Sequence, residues 1–119
     1  MPVQRDYILR LLEEAAAVLR RLRELLARGF AKPAVIVDEA RAAQAALFGD
    51  TWAILQRVDV TTATALIRDA RQLSLYADLL RVEAEANRAL GDDERAVYLE
   101  TRAAGIAAAA ASITPPASA

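Results

Sequence analysis

The chain has 119 residues and a formal net charge of -1, so it is the size of one domain and has no overall field to hold nucleic acid or anionic lipid. It contains no cysteine and no histidine, which excludes disulfides, thiolate nucleophiles and the histidine-containing zinc and di-metal sites. Hydrophobic residues make up 55% and aromatic residues only 5%, an alanine-rich composition that predicts an all-α protein.

The first predicted element is a long amphipathic helix from Asp6 to Arg28. One row of apolar residues recurs at steps of three and four: Ile8, Leu11, Ala15, Val18, Leu22 and Leu25. A second row widens the apolar face: Leu12, Leu19 and Leu26. Asp6 is placed to act as the N-cap, and Gly29 is placed to act as the C-terminal cap.

A second helix is predicted over residues 33 to 48, where Pro33 occupies the first turn and Gly49 follows the last apolar position. A short third segment follows, with the sequence TWAILQRV. Asp50 or Thr51 is expected to cap it, because both side chains can accept a hydrogen bond from a free backbone N–H group.

The middle of the chain offers two further helix starts. Asp59 and Thr61 are alternative caps for a brief helix that is rich in threonine. Residues 61 to 90 can be read as one helix of thirty residues or as two. Asp69 and Gln72 have the spacing of a capping box, which favours a new helix that begins after Asp69.

The C-terminal part predicts a helical hairpin over residues 70 to 111. Its first helix has one line of core positions: Leu73, Ala77, Leu80, Ala84 and Asn87. Gly91 ends that helix, and Asp92 or Asp93 is expected to cap the next. The apolar positions of the last helix also have the helical period: Ala96, Leu99, Ala103 and Ile106.

The sequence thus predicts a single all-helical domain over residues 1–112, followed by a disordered tail over residues 113–119, where two prolines prevent a helix. The N-terminus lacks the pattern of a signal peptide, and no uncharged stretch is long enough for a membrane helix. We therefore expect a cytoplasmic protein that does not bind a membrane.

Two stretches resemble known groups of proteins. The opening, Asp6-Tyr7-Ile8-Leu9-Arg10, is similar to the start of small uncharacterised bacterial helical proteins with a D-Y-apolar-apolar-R motif. That resemblance implies a helical fold and no assigned activity.

The second resemblance covers the hairpin from Tyr76 to Ile106, which is similar to a single tetratricopeptide-type unit. The matching positions are Leu79, Leu80 and Ala84 on the first helix, Gly91 and Asp92 at the turn, and Ala96 and Ala103 on the second helix. Glu100 stands where the family has an aromatic residue, and no second unit follows. The resemblance implies a role in protein recognition.

Catalysis is not expected from this set of residues. General acid-base chemistry is left to carboxylates, hydroxyls and a single lysine, Lys32. An all-carboxylate metal site can be imagined from four acidic residues: Asp78, Glu83, Glu85 and Glu100. Asp78 and Glu85 fall off the apolar line, where a solvated face is expected. We therefore predict no enzyme activity, no cofactor and no metal.

Basic residues concentrate in the second half of the first helix: Arg20, Arg21, Arg23 and Arg28. A phosphate-binding stripe is one reading of this cluster. Glu24 lies four residues before Arg28, a spacing that stabilises a helix surface, and the net charge is too small for nucleic acid. The cluster is therefore read as a solvated face, with no nucleic-acid partner.

The leading functional hypothesis is a protein-interaction or structural module that forms a homo-oligomer. The first helix has more apolar surface than the short helices that follow it readily cover, so one leucine row is expected to face the core and the other a partner. The predicted partner-binding residues are Leu12, Leu19, Leu26, Tyr7 and Trp52, and the predicted oligomer is a dimer.

Two alternatives remain open at this point. The chain can be a binding protein for an apolar small molecule, with a pocket near Trp52, Phe48 and Tyr76. The least favoured alternative is the carboxylate-metal enzyme considered above.

Overall fold

The computed structural model describes residues 2–113 of the chain, with side chains from Arg5 onward. This part of the chain contains six α-helices and no strand. The helices are α1 (Pro2–Arg28), α2 (Pro33–Phe48), α3 (Trp52–Leu55), α4 (Val60–Ile67), α5 (Ala70–Ala89) and α6 (Asp93–Ile113), with a 3-10 turn at Gly49–Thr51. The predicted all-α helical bundle is confirmed. Over these residues, none of the helices combines the length and the apolar character that crossing a membrane requires.

The predicted division of residues 61–90 into two helices is confirmed. The Asp69 carboxylate accepts hydrogen bonds from the backbone N–H groups of Arg71 at 2.9 Å and Gln72 at 3.0 Å. The chain before it leaves the helical conformation, because Arg68 has a left-handed backbone with φ 56°. Asp69 thus satisfies two of the free N–H groups with which α5 begins.

Three other predicted boundaries are also observed. α2 has the predicted bounds. Gly29 ends α1 with φ 67°, and its N–H donates to the Leu25 carbonyl at 2.9 Å. Asp59 caps α4 by accepting from the N–H of Thr62 at 2.8 Å, whereas the alternative start, Thr61, lies inside that helix.

Two capping predictions are wrong. α1 begins at Pro2, so Asp6 lies within the helix and is not its N-cap. A proline suits a first turn because the N–H that it lacks would have no helical partner there. Neither Asp50 nor Thr51 caps α3, because the 3-10 turn leads straight into that helix and holds Thr51 in a helical backbone, φ -70° and ψ -20°. A capping residue needs an extended backbone.

Asp92, rather than Asp93, caps α6 by accepting a hydrogen bond from the N–H of Arg95 at 3.0 Å. The helix continues to Ile113, slightly further than predicted. The predicted disordered tail, residues 113–119, lies outside the described residues except for Ile113.

α5 is the central element of the bundle. It forms the predicted hairpin with α6, and its other sides pack against α1 and α2. α4 packs across α6 at Gly105, where a Cβ atom would lie 3.1 Å from Cγ1 of Val60. The absence of a side chain at Gly105 therefore permits the close approach of these two helices.

The core has two parts, and α1 contributes to both. One part surrounds the rings of Tyr76 and Phe48 and includes Leu12 of α1. The other lies between α1, α2 and α5 and includes Leu19 and Leu22 of α1. At 1.5 Å per residue α1 is about 40 Å long, so a single helix can reach both.

Candidate functional site

Both apolar rows of α1 contain buried and half-buried residues, and the first row contributes Ala15 and Leu22 to the core. Leu12 is 8% exposed and Leu19 is 4% exposed, because the other helices of the same chain cover them, and Leu26 is half-buried. A second copy cannot reach Leu12 and Leu19 while these helices stay packed. The α1 surface within reach of a partner carries Leu26 and three half-buried residues of the first row: Leu11, Val18 and Leu25.

This accessible surface of α1 borders an apolar groove of about 270 Å³ between α1 and α2. Leu11, Ala15 and Val18 line it from α1, and Ala42, Ala43, Ala46 and Leu47 line it from α2. Charged residues stand at its rim. Arg21 donates a hydrogen bond to the Glu39 carboxylate across the mouth, and Glu14 lies on the same rim.

The remaining predicted partner residues differ in how accessible they are. Tyr7 is 58% exposed on α1, so its side chain is available to a partner. Trp52 is half-buried and meets the ring of Tyr76 edge to face, with 6.3 Å between ring centroids. Phe30, in the loop after α1, is 74% exposed, and the Arg28 guanidinium lies 5.8 Å from its ring centroid.

A polar cluster lies inside the bundle around Glu83, which is 1% exposed. Gln44 donates from Nε2 to Oε1 of Glu83 at 2.9 Å, and Arg41 donates from Nη1 to Oε2 at 3.3 Å. Arg95 is a further cation, with its Nη2 atom 4.0 Å from the same oxygen. These contacts offset the large free-energy cost of removing the Glu83 carboxylate from water.

Arg102 forms the second half of this cluster, where it is 6% exposed on α6. Its guanidinium donates to the Leu55 carbonyl, to the Val58 carbonyl at 2.6 Å and from Nε to the Tyr76 hydroxyl at 3.2 Å. The two carbonyls belong to the end of α3 and the loop before α4. Arg102 therefore ties this irregular segment to the hairpin.

The pocket predicted near Trp52, Phe48 and Tyr76 has no room for an apolar ligand. Phe48 and Tyr76 pack edge to face with 5.1 Å between their centroids and fill that space themselves. The cavity beside them measures about 20 Å³, the size of a single water, and charged side chains line it. The Oε1 atom of Gln44 is buried at this cavity with no hydrogen-bond partner among the described residues.

The four carboxylates considered for a metal site lie in separate environments. Asp78 accepts a hydrogen bond from Arg81 at 2.8 Å, and Glu100 accepts one from Arg88 at 2.6 Å. Glu85 is exposed, and Glu83 belongs to the buried cluster. Within residues 5–113, no group of three or more acidic side chains is arranged to hold a metal ion.

The polar cluster was not predicted, although the sequence contains a signal for it. Glu83 lies four residues after Leu79, and Arg102 lies three residues after Leu99, so both positions fall on the buried face of a helix. Gln44 falls on the buried face of α2 in the same way. A charged or amide residue in line with core positions indicates a buried polar contact.

Tyr76 gives this cluster a measurable pH dependence. Burial raises the pKa of Tyr76 above its ordinary value of 10.0, and the hydrogen bond and charge of Arg102 offset only part of this rise. The unfolded chain therefore ionises this tyrosine at a lower pH than the folded chain, so its contribution to stability is complete below pH 10 and is lost as the pH rises through the folded-state pKa. We expect the urea midpoint to fall above about pH 10, and to fall less in Tyr76→Phe. Equal pH dependence in both proteins would contradict this.

Comparison of the chain with models of known protein families, with curated proteins and with solved structures finds no match. The two resemblances drawn from the sequence therefore remain predictions.

Proposed function

We propose that this chain is a non-catalytic interaction module that self-associates through the surface formed by α1 and α2. The observation that carries the proposal is the set of half-buried residues Leu11, Val18 and Leu25 on one face of α1, of which Leu11 and Val18 line the apolar groove. Contiguous apolar surface on a small domain commonly marks an interface. Tyr7 and Val35, which are 58% and 44% exposed, add to the apolar surface of these two helices.

A second copy of the chain is the occupant that the charges of α1 favour. Acidic residues slightly exceed basic ones in its first half, where Asp6, Glu13 and Glu14 accompany Arg5 and Arg10. Basic residues dominate its second half, which has a single acidic residue, Glu24, and four arginines: Arg20, Arg21, Arg23 and Arg28. A surface whose opposite charges are separated along its length complements an inverted copy of itself. Two-fold symmetric dimers use such self-complementary surfaces.

Sedimentation equilibrium at micromolar concentration tests this function. We expect the wild-type chain to be a dimer and Val18→Glu to be a monomer with the same helical circular dichroism, because Val18 is only half-buried in the single chain. A charge at the centre of an apolar contact weakens association strongly. A wild-type chain that sediments as a monomer throughout the micromolar range would contradict the proposal.

An apolar small molecule is the alternative occupant, because the groove of about 270 Å³ is more enclosed than the larger, shallower clefts of about 420 to 430 Å³ elsewhere on the described surface. The groove volume approaches the lower limit of common ligand pockets, roughly 300 Å³. The same sedimentation measurement separates the two functions when a lipophilic fluorescent probe is added. A monomeric chain that binds the probe in one-to-one stoichiometry would support the ligand-binding alternative.

A further inference from the structure

We propose that two copies of the chain pair antiparallel along α1, with Val18 of one copy facing Val18 of the other across a two-fold axis. This inference rests on the proposed self-association and adds its orientation and register. It follows from the order of residues along one narrow face of α1.

That face is a seam in which steps of four and three alternate over nearly six turns of the helix. Its residues are Tyr7, Leu11, Glu14, Val18, Arg21, Leu25 and Arg28. All seven keep some exposure in the single chain, and the three aliphatic members lie seven residues apart. This is the spacing with which two helices pack side by side over a long distance.

The charges on the seam decide its orientation. A parallel pair would place Glu14 against its own copy and would do the same with Arg21 and Arg28, so each such position would bring like charges together. In an antiparallel pair centred near Val18, Glu14 of each copy meets Arg21 of the other. Like charges in contact disfavour the parallel pair, and opposite charges favour the antiparallel one.

The uncharged residues of the seam also find suitable partners when the two-fold axis lies near Val18. Leu11 of one copy meets Leu25 of the other, so the aliphatic residues form a continuous apolar strip with Val18 in the middle. Tyr7 meets Arg28, whose guanidinium already lies 5.8 Å from the Phe30 ring centroid and so sits beside aromatic surface in the single chain.

The neighbouring helix leaves room for the second copy. Ala42 and Ala46 are exposed residues of α2 at the groove, and their small side chains allow a partner helix to approach closely. Glu39 already accepts a hydrogen bond from Arg21. The five N–H donors of a guanidinium can serve this carboxylate and Glu14 of the second copy together.

Exchange of the two charges tests the register. We expect Glu14→Arg and Arg21→Glu each to weaken the dimer about tenfold or more, because each dimer contains the contact twice. An equimolar mixture of the two variants should form a heterodimer of nearly wild-type affinity, since every pair is then opposite in charge. The double variant Glu14→Arg with Arg21→Glu should recover its homodimer for the same reason.

Adjacent residues supply matched controls. Glu13→Arg and Arg20→Glu make the same changes of charge about 100° around the helix from the seam residues. Glu13 faces the opposite flank of α1, where it lines a shallow groove with Leu9 and Ser74. Both control variants should dimerise like the wild type, and circular dichroism should show unchanged helicity in all six proteins.

A cysteine cross-link provides an independent measurement, because the chain has no cysteine of its own. Val18→Cys should form a disulfide between two copies under mild oxidation, whereas Ala16→Cys, on the opposite flank, should not, because its Cβ atoms would lie too far apart. A wild-type monomer would overturn the self-association itself. A wild-type dimer in which seam and control variants dimerise equally, and Val18→Cys does not cross-link, would overturn the antiparallel register and leave the self-association in place.

Discussion

Replacement of Leu19 by glutamate is expected to unfold the chain rather than merely to dissociate a dimer. Leu19 is 4% exposed and packs in the core between α1, α2 and α5. Truncation of a buried leucine to alanine alone costs about 2 to 5 kcal/mol, and a carboxylate in the same place adds the cost of a buried, unpaired charge. Small domains have a total stability of about 5 to 15 kcal/mol, so this change removes most or all of it.

Circular dichroism at 222 nm measures the outcome, with Val18→Glu as the matched control one position away on the helix. We expect Leu19→Glu to lose most of its helical signal at 25 °C. The control should keep the signal. If Leu19→Glu stays folded and instead becomes monomeric, Leu19 faces a partner and the burial in the single chain does not represent the protein in solution.

The helices themselves could be predicted because their signals are local. Asp69 caps α5 through the N–H groups of the residues two and three positions ahead, and Gly29 ends α1 through a carbonyl four residues earlier. Such contacts depend on spacing along the chain and on nothing distant. Asp6 was misleading for the same reason, since a good capping residue is only one way to start a helix and Pro2 supplies another.

The buried residues of the two apolar rows could not be distinguished from the half-buried ones by spacing. Leu11 and Leu12, like Val18 and Leu19, are adjacent residues that lie about 100° apart on one helix, and both rows have the correct period. Which residues of each row are buried depends on where α2 and α5 pack against α1. That is a tertiary fact, because the packing partners lie far along the chain.

For the polar cluster, likewise, the sequence indicates which residues are buried but not which groups they contact. The period of the helices places Glu83, Gln44 and Arg102 on buried faces, so their burial could be inferred one helix at a time. Their partners could not, since Gln44 lies 39 residues from Glu83, and Arg102 lies 47 residues from the carbonyl of Leu55. Only the packed bundle brings each of these polar groups to its partners.

Replacement of Arg102 by methionine is the second change with a large expected effect. Methionine keeps much of the volume of the side chain but donates no hydrogen bond, so the Leu55 and Val58 carbonyls and the Tyr76 hydroxyl all lose their donor. A buried acceptor left unpaired costs about 1 to 3 kcal/mol. Since Leu55 is fully buried and Val58 only partly so, we expect the free energy of unfolding to fall by about 3 kcal/mol.

Urea denaturation of three further proteins makes the origin of this loss clear. Arg102→Lys keeps the charge but offers a single ammonium in place of a planar fork, so it should lie between the wild type and Arg102→Met. Arg57→Met removes an exposed arginine from the same loop and should change the stability by less than about 0.5 kcal/mol. Tyr76→Phe removes only the hydroxyl and should cost less than Arg102→Met. If Arg102→Met and Arg57→Met have equal stability, Arg102 does not hold the segment between α3 and α4 against the hairpin.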